Sequence, residues 1–431
     1  MRFLTSTVLF IFLTFSALQA KEPVVPNASP EAKALLKDMF SDVQKVHGKD
    51  LPVVMHECSP IPDPDHCFTD GAAYSWWMLW HTNHVTQIDP LELKVEGVQM
   101  VDASGHPVAL QDAIANDFTG WVRVEGNKFL DPQGNQMLFA GLCASDPDRL
   151  ETANQWNDRY FGEAANWGAN IIRFAVHPQA VRRRGWDAYF EILDRGVELA
   201  RQHGLYVIMD WHSIGNLKEE RFPRQEYITT LDETLQFWKE AARRYKDDPV
   251  VAMYEIFNEP TVTRLGECTW EEWRKINEQI IDAIREYNPQ ALCLVAGFNW
   301  AYDLRPVLND PVQRPNVAYV SHPYPQKREK PWEEAWEADW GHVADKYPVI
   351  CTEIGFCLEN ERGAHVPVIT DMTYGPEMTS YLKKKGISFT AWCFDPTWAP
   401  GLITDWSFTT TTQGTFFRDY LQSNVHLNIE K

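Results

Sequence analysis

Short apolar segments alternate with amphipathic segments along the chain from about residue 137 onward. Segments that are apolar throughout are typical of parallel strands covered on both faces. Eight such strands, each followed by a segment of helix length, are what a (β/α)8 barrel requires. The pattern therefore predicts an α/β fold, a (β/α)8 TIM barrel. The predicted strands are residues 137–142, 170–176, 205–211, 251–257, 291–296, 317–321, 349–354 and 387–392.

The segments between the predicted strands carry the start and stop signals of helices. After the fourth strand, Thr269 and Glu272 have capping-box spacing, an apolar face follows, and Asn288-Pro289 stops the helix. After the second strand, an apolar stripe ends at Gly204, a residue suited to a left-handed helix cap. These crossover helices support a barrel.

Residues 21–118 do not follow this rhythm, and we expect them to form an N-terminal accessory region. Residues 30–47 have the pattern of a helix, and residues 91–101 and 108–110 have that of a hairpin. Residues 122–130, with turn residues at 131–134, are predicted to form another hairpin that closes the floor of the barrel.

Two stretches of the N-terminal region resemble the last two barrel segments. Residues 51–57 match residues 347–353 in pattern, and residues 71–80 match residues 386–392. One hypothesis is that residues 51–80 are a degenerate piece of a second barrel, with two adjacent parallel strands. The alternative is an unrelated, small β-rich layer, and the sequence leaves both open.

Composition and charge narrow the class of protein. The chain has 431 residues, of which 44% are hydrophobic, and 60 acidic against 40 basic side chains give a formal charge of −20. Its 18 Trp, 15 Tyr and 22 Phe provide more apolar mass than a disordered chain carries. The acidic surface disfavours nucleic acid as a partner and suits an uncharged substrate. Aromatic rings also stack on the apolar faces of sugars.

Residues 1–20 have the layout of a secretory signal peptide, with a cation at Arg2, an apolar stretch from Val8 to Phe15 and an end at Ala20. Leu18 stands where a small residue is usual before cleavage, so an uncleaved anchor is the alternative. This apolar stretch is short of the about 20 residues of a comfortable membrane span, and no other segment is long and apolar enough to span a bilayer. We expect a secreted, extracellular or periplasmic protein without stable membrane association after signal removal, and a barrel over residues 119–431.

Eight cysteines in an exported chain permit disulfides without making the protein a disulfide scaffold. Cys58 and Cys67 are close together in one loop, and Cys268 and Cys357 lie in two loops that could be bridged. No Cys-x-x-Cys or paired-His spacing is present, so we expect no metal site and no cofactor. We expect buried free thiols at the remaining strand positions, Cys143, Cys293, Cys351 and Cys393.

Polar side chains stand at the C-terminal ends of the predicted strands, where barrels place the groups that act on a ligand. The fourth and seventh strands end near Glu259 and Glu353. Two carboxyl groups that face one cleft are the minimum needed to break a glycosidic bond, because one protonates the departing oxygen while the other attacks or activates water.

In these motifs the sequence resembles glycoside hydrolase family 5, the cellulase family of retaining β-glycosidases built on a (β/α)8 barrel. The resemblance extends from Trp121 to the C-terminal end. It rests on the segments NIIRFAVHP, YVIMDWHS, YEIFNEP, SHPYP, VICTEIGF and FTAWCF. In chain order, these segments supply Arg173, His212, Asn258, Glu259, His322, Tyr324, Glu353 and Trp392.

The resemblance implies a role for each residue. Glu259 would be the general acid/base and Glu353 the nucleophile, kept ionised by Arg173 and by a bond from Tyr324. Asn258 would bind the 2-hydroxyl of the sugar at the cleavage point. In a retaining enzyme the two carboxyl groups lie about 5–5.5 Å apart. The substrate-binding residues His212 and His322 would orient substrate and carboxyl groups, and Trp392 would form the floor of the sugar site.

The resemblance also bears on the substrate, which we expect to be a β-glycan polysaccharide or oligosaccharide. The Trp-rich segment after the eighth strand is similar to that of family members acting on cellulose, which favours an endo-β-1,4-glucanase. β-Mannanase, xyloglucanase and β-1,3-glucanase are the alternatives within the family, and a non-catalytic carbohydrate-binding barrel is the alternative outside it. Five loop aromatics are candidates to line the cleft, about half of them being core or surface residues instead: Trp211, Trp300, Trp332, Trp336 and Trp398.

Overall fold

The computed structural model describes residues 118–423, together with the backbone of four short strands that precede them. The chain divides into two compact units, Met1–Ala115 and Asn116–Lys431. In the first unit, Leu9–Leu13 pairs antiparallel with Val53–Glu57, and Met100–Val101 pairs antiparallel with Pro107–Val108.

These pairings bear on two predictions for the N-terminal region. The pairing of 100–101 with 107–108 agrees with the hairpin predicted between residues 91 and 110. The partner of Val53–Glu57 is antiparallel, so this strand does not support the hypothesis of a second barrel's parallel strands. The stretch 71–80, the predicted helix 30–47 and the pair Cys58 and Cys67 lie outside the described residues.

Eight parallel strands of the second unit close into a barrel, and this confirms the predicted fold class. Seven strands are hydrogen-bonded to the next strand in the chain, and β8 pairs with β1 to close the ring. Every residue of these strands is buried, as their apolar character predicts. The strands are β1 (Ala140–Ala144), β2 (Ile171–Val176), β3 (Tyr206–Trp211), β4 (Val251–Glu255), β5 (Leu292–Ala296), β6 (Val317–Val320), β7 (Val349–Ile354) and β8 (Ser388–Ala391).

Helices cover the outside of the barrel, and their ends follow the sequence signals. Thr269 and Glu272 form the predicted capping box, and Gly204 takes a left-handed φ of 67° just after its helix. None of the helices within residues 118–423 combines the length and apolar character needed to cross a membrane. The main helices are Pro147–Thr152, Asp158–Asn166, Pro178–Arg184, Trp186–Gln202, Leu231–Arg244, Trp270–Arg285, Trp332–Asp339, Tyr374–Lys385 and Thr412–Gln422, with 3-10 turns at Gln225–Tyr227, Pro325–Lys327 and Gly341–Asp345.

A three-stranded antiparallel sheet closes the floor of the barrel, as predicted. It consists of Arg123–Glu125, Lys128–Leu130 and Gln136–Met137, so the run 122–130 already contains one turn and the turn at 131–134 is a second one. Phe129 of this sheet and Val122 just before it pack against side chains inside the barrel. The C-terminal rim is left for the site.

The cysteines of the barrel are reduced. Cys268 and Cys357 are both free, so a bridge between them was a wrong expectation. They follow β4 and β7, which β5 and β6 separate in the ring, and the Cys357 thiol donates instead to the Arg362 carbonyl. Cys143, Cys293, Cys351 and Cys393 are buried free thiols, as expected.

Candidate active site

The structure brings all eight predicted site residues into one part of the C-terminal rim. Glu353 belongs to β7, whereas Glu259 lies beyond β4, in a two-residue strand Glu259–Pro260 that pairs in parallel with Ile214–Gly215 after β3. Both glutamates are buried, with 4% and 9% of their surfaces exposed. A carboxylate oxygen of Glu259, one of Glu353 and a ring nitrogen of His322 lie within 4.8 Å of one another.

Glu353 is surrounded by donors. The Arg173 guanidinium donates to Oε1 over 3.0 Å, and the Tyr324 hydroxyl donates to Oε2 over 2.8 Å. Burial raises the pKa of Glu353, while His322, Arg173 and the Tyr324 bond act in the opposite direction. Bonds to the charged form of a carboxyl favour that form, as a nucleophile requires.

Glu259 has different neighbours. Its Oε1 lies 3.1 Å from Nδ1 of His322, and no cation lies within ion-pair distance of it among the described residues. Burial raises the pKa of Glu259 to about 7, and the charges of Lys327 and Arg173 oppose that rise. A carboxyl group with a pKa near neutrality can give up and take back a proton at neutral pH.

Arg173 of β2 organises the base of the site. Its fully buried guanidinium contacts Glu255 at 2.7 and 3.0 Å, Asp210 at 3.0 Å and Oδ1 of Asn258 at 2.7 Å, in addition to Glu353. Sequence reasoning assigned no role to Glu255 or Asp210, although they stand in the motifs YEIFNEP and YVIMDWHS. The signal was an acidic residue inside a strand that is otherwise apolar, because a buried charge needs a partner.

One wall of the cleft is aromatic. The rings of His212 and Trp392 are stacked, with centroids 5.2 Å apart and planes at 6°, and Trp398 stacks on Trp392 at 5.6 Å. Nδ1 of His212 contacts Oδ2 of Asp210 at 2.6 Å, and burial holds the pKa of His212 well below its usual value. The ring is therefore neutral at neutral pH.

Asn258 presents an unused donor. Its side-chain oxygen accepts from Arg173, but the buried Nδ2 has no hydrogen-bond partner. A buried N–H group without a partner is costly, so such a group at a rim points to a ligand atom that completes it.

The cleft around these residues has a volume of about 1300 Å³ and includes both glutamates. Trp300 and Trp398 line it, as predicted for both, and the Lys327 ammonium lies over the Trp300 ring at 5.1 Å. Three other tryptophans expected as cleft candidates, Trp211, Trp332 and Trp336, are buried in the hydrophobic core instead. Trp211 stacks on Phe237 of the helix Leu231–Arg244, and Trp332 and Trp336 stack on each other within the helix Trp332–Asp339.

Glu259, His322 and Glu353 are also the set of potential metal ligands that the described residues bring together. Nδ1 of His322 is taken by Glu259, and Nε2 contacts Oγ1 of Thr352 at 2.9 Å. Both ring nitrogens of His322 already have hydrogen-bond partners, so a metal ion would have to displace one of them, and the donor set does not favour a metal.

Comparison with known proteins points to the same family as the motifs. The family model Cellulase (glycosyl hydrolase family 5) matches residues 130–397. Endoglucanase A of Butyrivibrio fibrisolvens is 30% identical over 229 residues, 49% of this chain and 48% of that protein. Cellulase CelDZ1 of a Thermoanaerobacterium species is 26% identical over 238 residues, 52% of this chain and 56% of that protein. The chain thus spans about half the length of these relatives.

A solved structure is similar over more of its length. The crystal structure of β-glucanase SdGluc5_26A from Saccharophagus degradans is 43% identical with a TM-score of 0.69, and the match covers 71% of this chain and 96% of that one. The same β-glucanase has been crystallised with cellotetraose. Because the family model covers more than half of the chain and the cleft contains the paired glutamates, this protein belongs to glycosyl hydrolase family 5, the cellulase family.

Proposed function

We propose that the protein is an endo-β-1,4-glucanase that cleaves internal bonds of cellulose or related β-glucans with retention of anomeric configuration. The observation that carries this proposal is the pair of buried glutamates in one cleft, one bonded by a cation and a hydroxyl, the other by a neutral imidazole. This difference matches the two roles that a double displacement requires.

In the first step, the Glu353 carboxylate attacks the anomeric carbon and forms an ester bond to it. The bond from that carbon to the leaving sugar breaks, and the departing oxygen takes the proton of Glu259. Arg173 and Tyr324 hold the attacking carboxylate, and Nδ2 of Asn258 is free to bind a sugar hydroxyl. Such bonds strengthen as positive charge develops on the ring.

In the second step, the Glu259 carboxylate takes a proton from water, and the water oxygen attacks the anomeric carbon. The ester bond breaks and its electron pair returns to Glu353. Two inversions give net retention. An oxygen of Glu259 and one of Glu353 lie within 4.8 Å of each other. This closeness supports the retaining route, because in inverting enzymes the two carboxyl groups are about 6.5–9.5 Å apart to admit a water molecule.

The substrate proposal rests on the cleft and its relatives. A neutral β-glucan suits a chain with a charge of −20, and the stacked Trp392 and Trp398 offer flat surfaces to sugar rings. The endoglucanases and the β-glucanase crystallised with cellotetraose support a β-glucan over other β-glycans.

A substrate panel tests this proposal. We expect reducing-sugar release and a rapid fall in viscosity with carboxymethylcellulose, and weaker activity on mannan, xyloglucan and laminarin. E353Q, which keeps the shape of the nucleophile but not its charge, is the matched inactive control. A preference for another polymer would change the proposed substrate. If the folded wild type turned over no β-glycan, the proposal that it is an enzyme would be refuted.

We also propose that the protein is exported, because residues 1–20 have the layout of a signal peptide. N-terminal sequencing of protein from the periplasm and from the medium is the test. A mature chain that begins near Lys21 is expected, and a retained Met1 in both fractions would contradict cleavage.

A further inference from the structure

Thr352 precedes Glu353 in β7, and its buried hydroxyl lies between two groups of the site. Its Oγ1 is 2.9 Å from Nε2 of His322 and 2.9 Å from Oε1 of Glu255. The Thr352 carbonyl in turn accepts bonds from the Cys143 thiol and the Thr390 hydroxyl. The position of Thr352 is therefore fixed from both sides.

The direction of the first bond follows from Glu255. Arg173 donates to both oxygens of Glu255, Nε to Oε2 and Nη2 to Oε1, so both oxygens act as hydrogen-bond acceptors. The single hydrogen of the Thr352 hydroxyl therefore goes to Glu255. If it pointed to His322 instead, two buried oxygens would face each other at 2.9 Å without a hydrogen between them.

The direction of the second bond follows from the first. With its hydrogen committed to Glu255, the Thr352 oxygen accepts from His322, so Nε2 carries the hydrogen of the ring. Burial lowers the pKa of His322 to about 4, so the ring is neutral at neutral pH and has only one hydrogen. Nδ1 is then an acceptor, and the 3.1 Å contact with Glu259 is a bond only when Glu259 donates.

We propose that Thr352 is a positioning residue for the acid/base step, which sets the His322 tautomer and thereby keeps the proton on Glu259 until the leaving oxygen takes it. The lone pair of Nδ1 disfavours the Glu259 carboxylate. It thus keeps the acid protonated before the first step and makes the carboxylate a better base towards water in the second. This inference rests on the proposed function.

Other charged and titratable groups also face Glu259 or His322, and a substitution at Thr352 leaves all of them in place. They come from β2, β3, β4 and β7 and from the loops after β3 and β6. They are Arg173, Asp210, His212, Tyr227, Glu255, Tyr324, Lys327 and Glu353.

The first test reads the tautomer without using activity. Full-length protein labelled with 15N-histidine is examined by NMR near pH 7, with the His322 signals assigned by their loss in H322N. We expect the hydrogen on Nε2 in the wild type and in T352S, which keeps the hydroxyl. In T352V the hydrogen should move to Nδ1, where it can bind the Glu259 carboxylate. A hydrogen on Nδ1 in the wild type overturns the inference.

The second test is the pH dependence of kcat/KM on cellopentaose. In T352V the basic limb should move to lower pH by about 0.5 to 1, because the Glu259 carboxylate is now stabilised. T352S should keep the wild-type limb, and so should T379V, which removes an equally buried hydroxyl from the helix Tyr374–Lys385. Thermal unfolding establishes that each variant is folded.

The outcomes separate this inference from the proposed function. The role of the hydroxyl is overturned if the basic limb of the T352V pH profile matches that of the wild type, or if T352S shows an equal shift. The proposed enzymatic function is not affected by either result. If T352V does not fold, T352A serves in its place with the same expected shift. A wild type that is inactive on every β-glucan refutes the function, and the NMR result then decides the tautomer alone.

Discussion

The two glutamates of the cleft are the same residue type at similar burial, yet their surroundings differ. Glu353 receives bonds from a guanidinium and a phenol hydroxyl, whereas Glu259 meets one neutral imidazole nitrogen. Donors favour a carboxylate, and an apolar setting without a bound cation favours a carboxylic acid. The difference in neighbours, not in burial, therefore separates the proposed nucleophile from the proposed acid.

Removing the proposed nucleophile should have the largest effect. Glu353→Gly should lower kcat by at least about 10⁴-fold, since no ester can form. Azide should then restore turnover and yield the α-glycosyl azide, because the small anion attacks from the vacated side in a single inversion. NMR of the product identifies the anomer, and a β-azide would mean that the roles of Glu259 and Glu353 are reversed.

Removing the proposed acid should have a smaller and substrate-dependent effect. Glu259→Gln should lower kcat/KM on cellopentaose by about 10² to 10⁴-fold, because the leaving sugar then departs without a proton. With 2,4-dinitrophenyl β-cellobioside, whose leaving group needs no proton, the first step should stay fast and release a burst of dinitrophenol. Stopped-flow absorbance measures the burst. Equal losses on both substrates would count against Glu259 as the acid.

Weakening only the donors around Glu353 should have a moderate effect. Tyr324→Phe removes one bond to a charged oxygen and should lower kcat/KM by about 10 to 100-fold. Tyr254→Phe is the matched control, because this buried hydroxyl is bonded to Asn288 outside the cleft and its loss should leave kcat/KM within about twofold. Initial rates on cellopentaose compare the two. Similar losses would indicate a general effect of removing buried phenols.

The pH dependence of stability should show the smallest effect. The pKa of Glu259 in the folded protein is about 7 against an ordinary 4.5, so its contribution is complete below pH 4.5 and is lost as the pH rises through 7. Glu259→Gln does not titrate. From pH 4.5 to 8 it should therefore gain about 3 kcal/mol in free energy of unfolding relative to the wild type. Urea unfolding at both pH values measures this, and a constant difference would contradict it.

The sequence predicts the barrel well because its signals are local. Each strand is a short apolar run, and the capping box at Thr269 and the turn at Gly204 depend only on neighbours in the chain. The rim residues could be found for the same reason, since the C-terminal end of each predicted strand indicates which side chains lie at the C-terminal rim of the barrel. Their catalytic roles remain predictions.

What the sequence could not supply depends on contacts between strands. Glu255 and Thr352 look like polar interruptions of apolar strands until Arg173 and His322 are placed beside them. Likewise, no local pattern separates Trp398, which lines the cleft, from Trp336, which packs in the hydrophobic core. The tertiary fold determines both which buried polar residues pair and which tryptophans line the cleft.

The sheet that covers the floor of the barrel also limits how a polymer can meet the enzyme. Val122 and Phe129 fill the lower end, and Ile208 and Leu294 are among the side chains packed inside. A glucan therefore cannot thread along the barrel axis. It has to lie across the C-terminal rim, and both products of cleavage must leave from the same side of the barrel that the polymer bound.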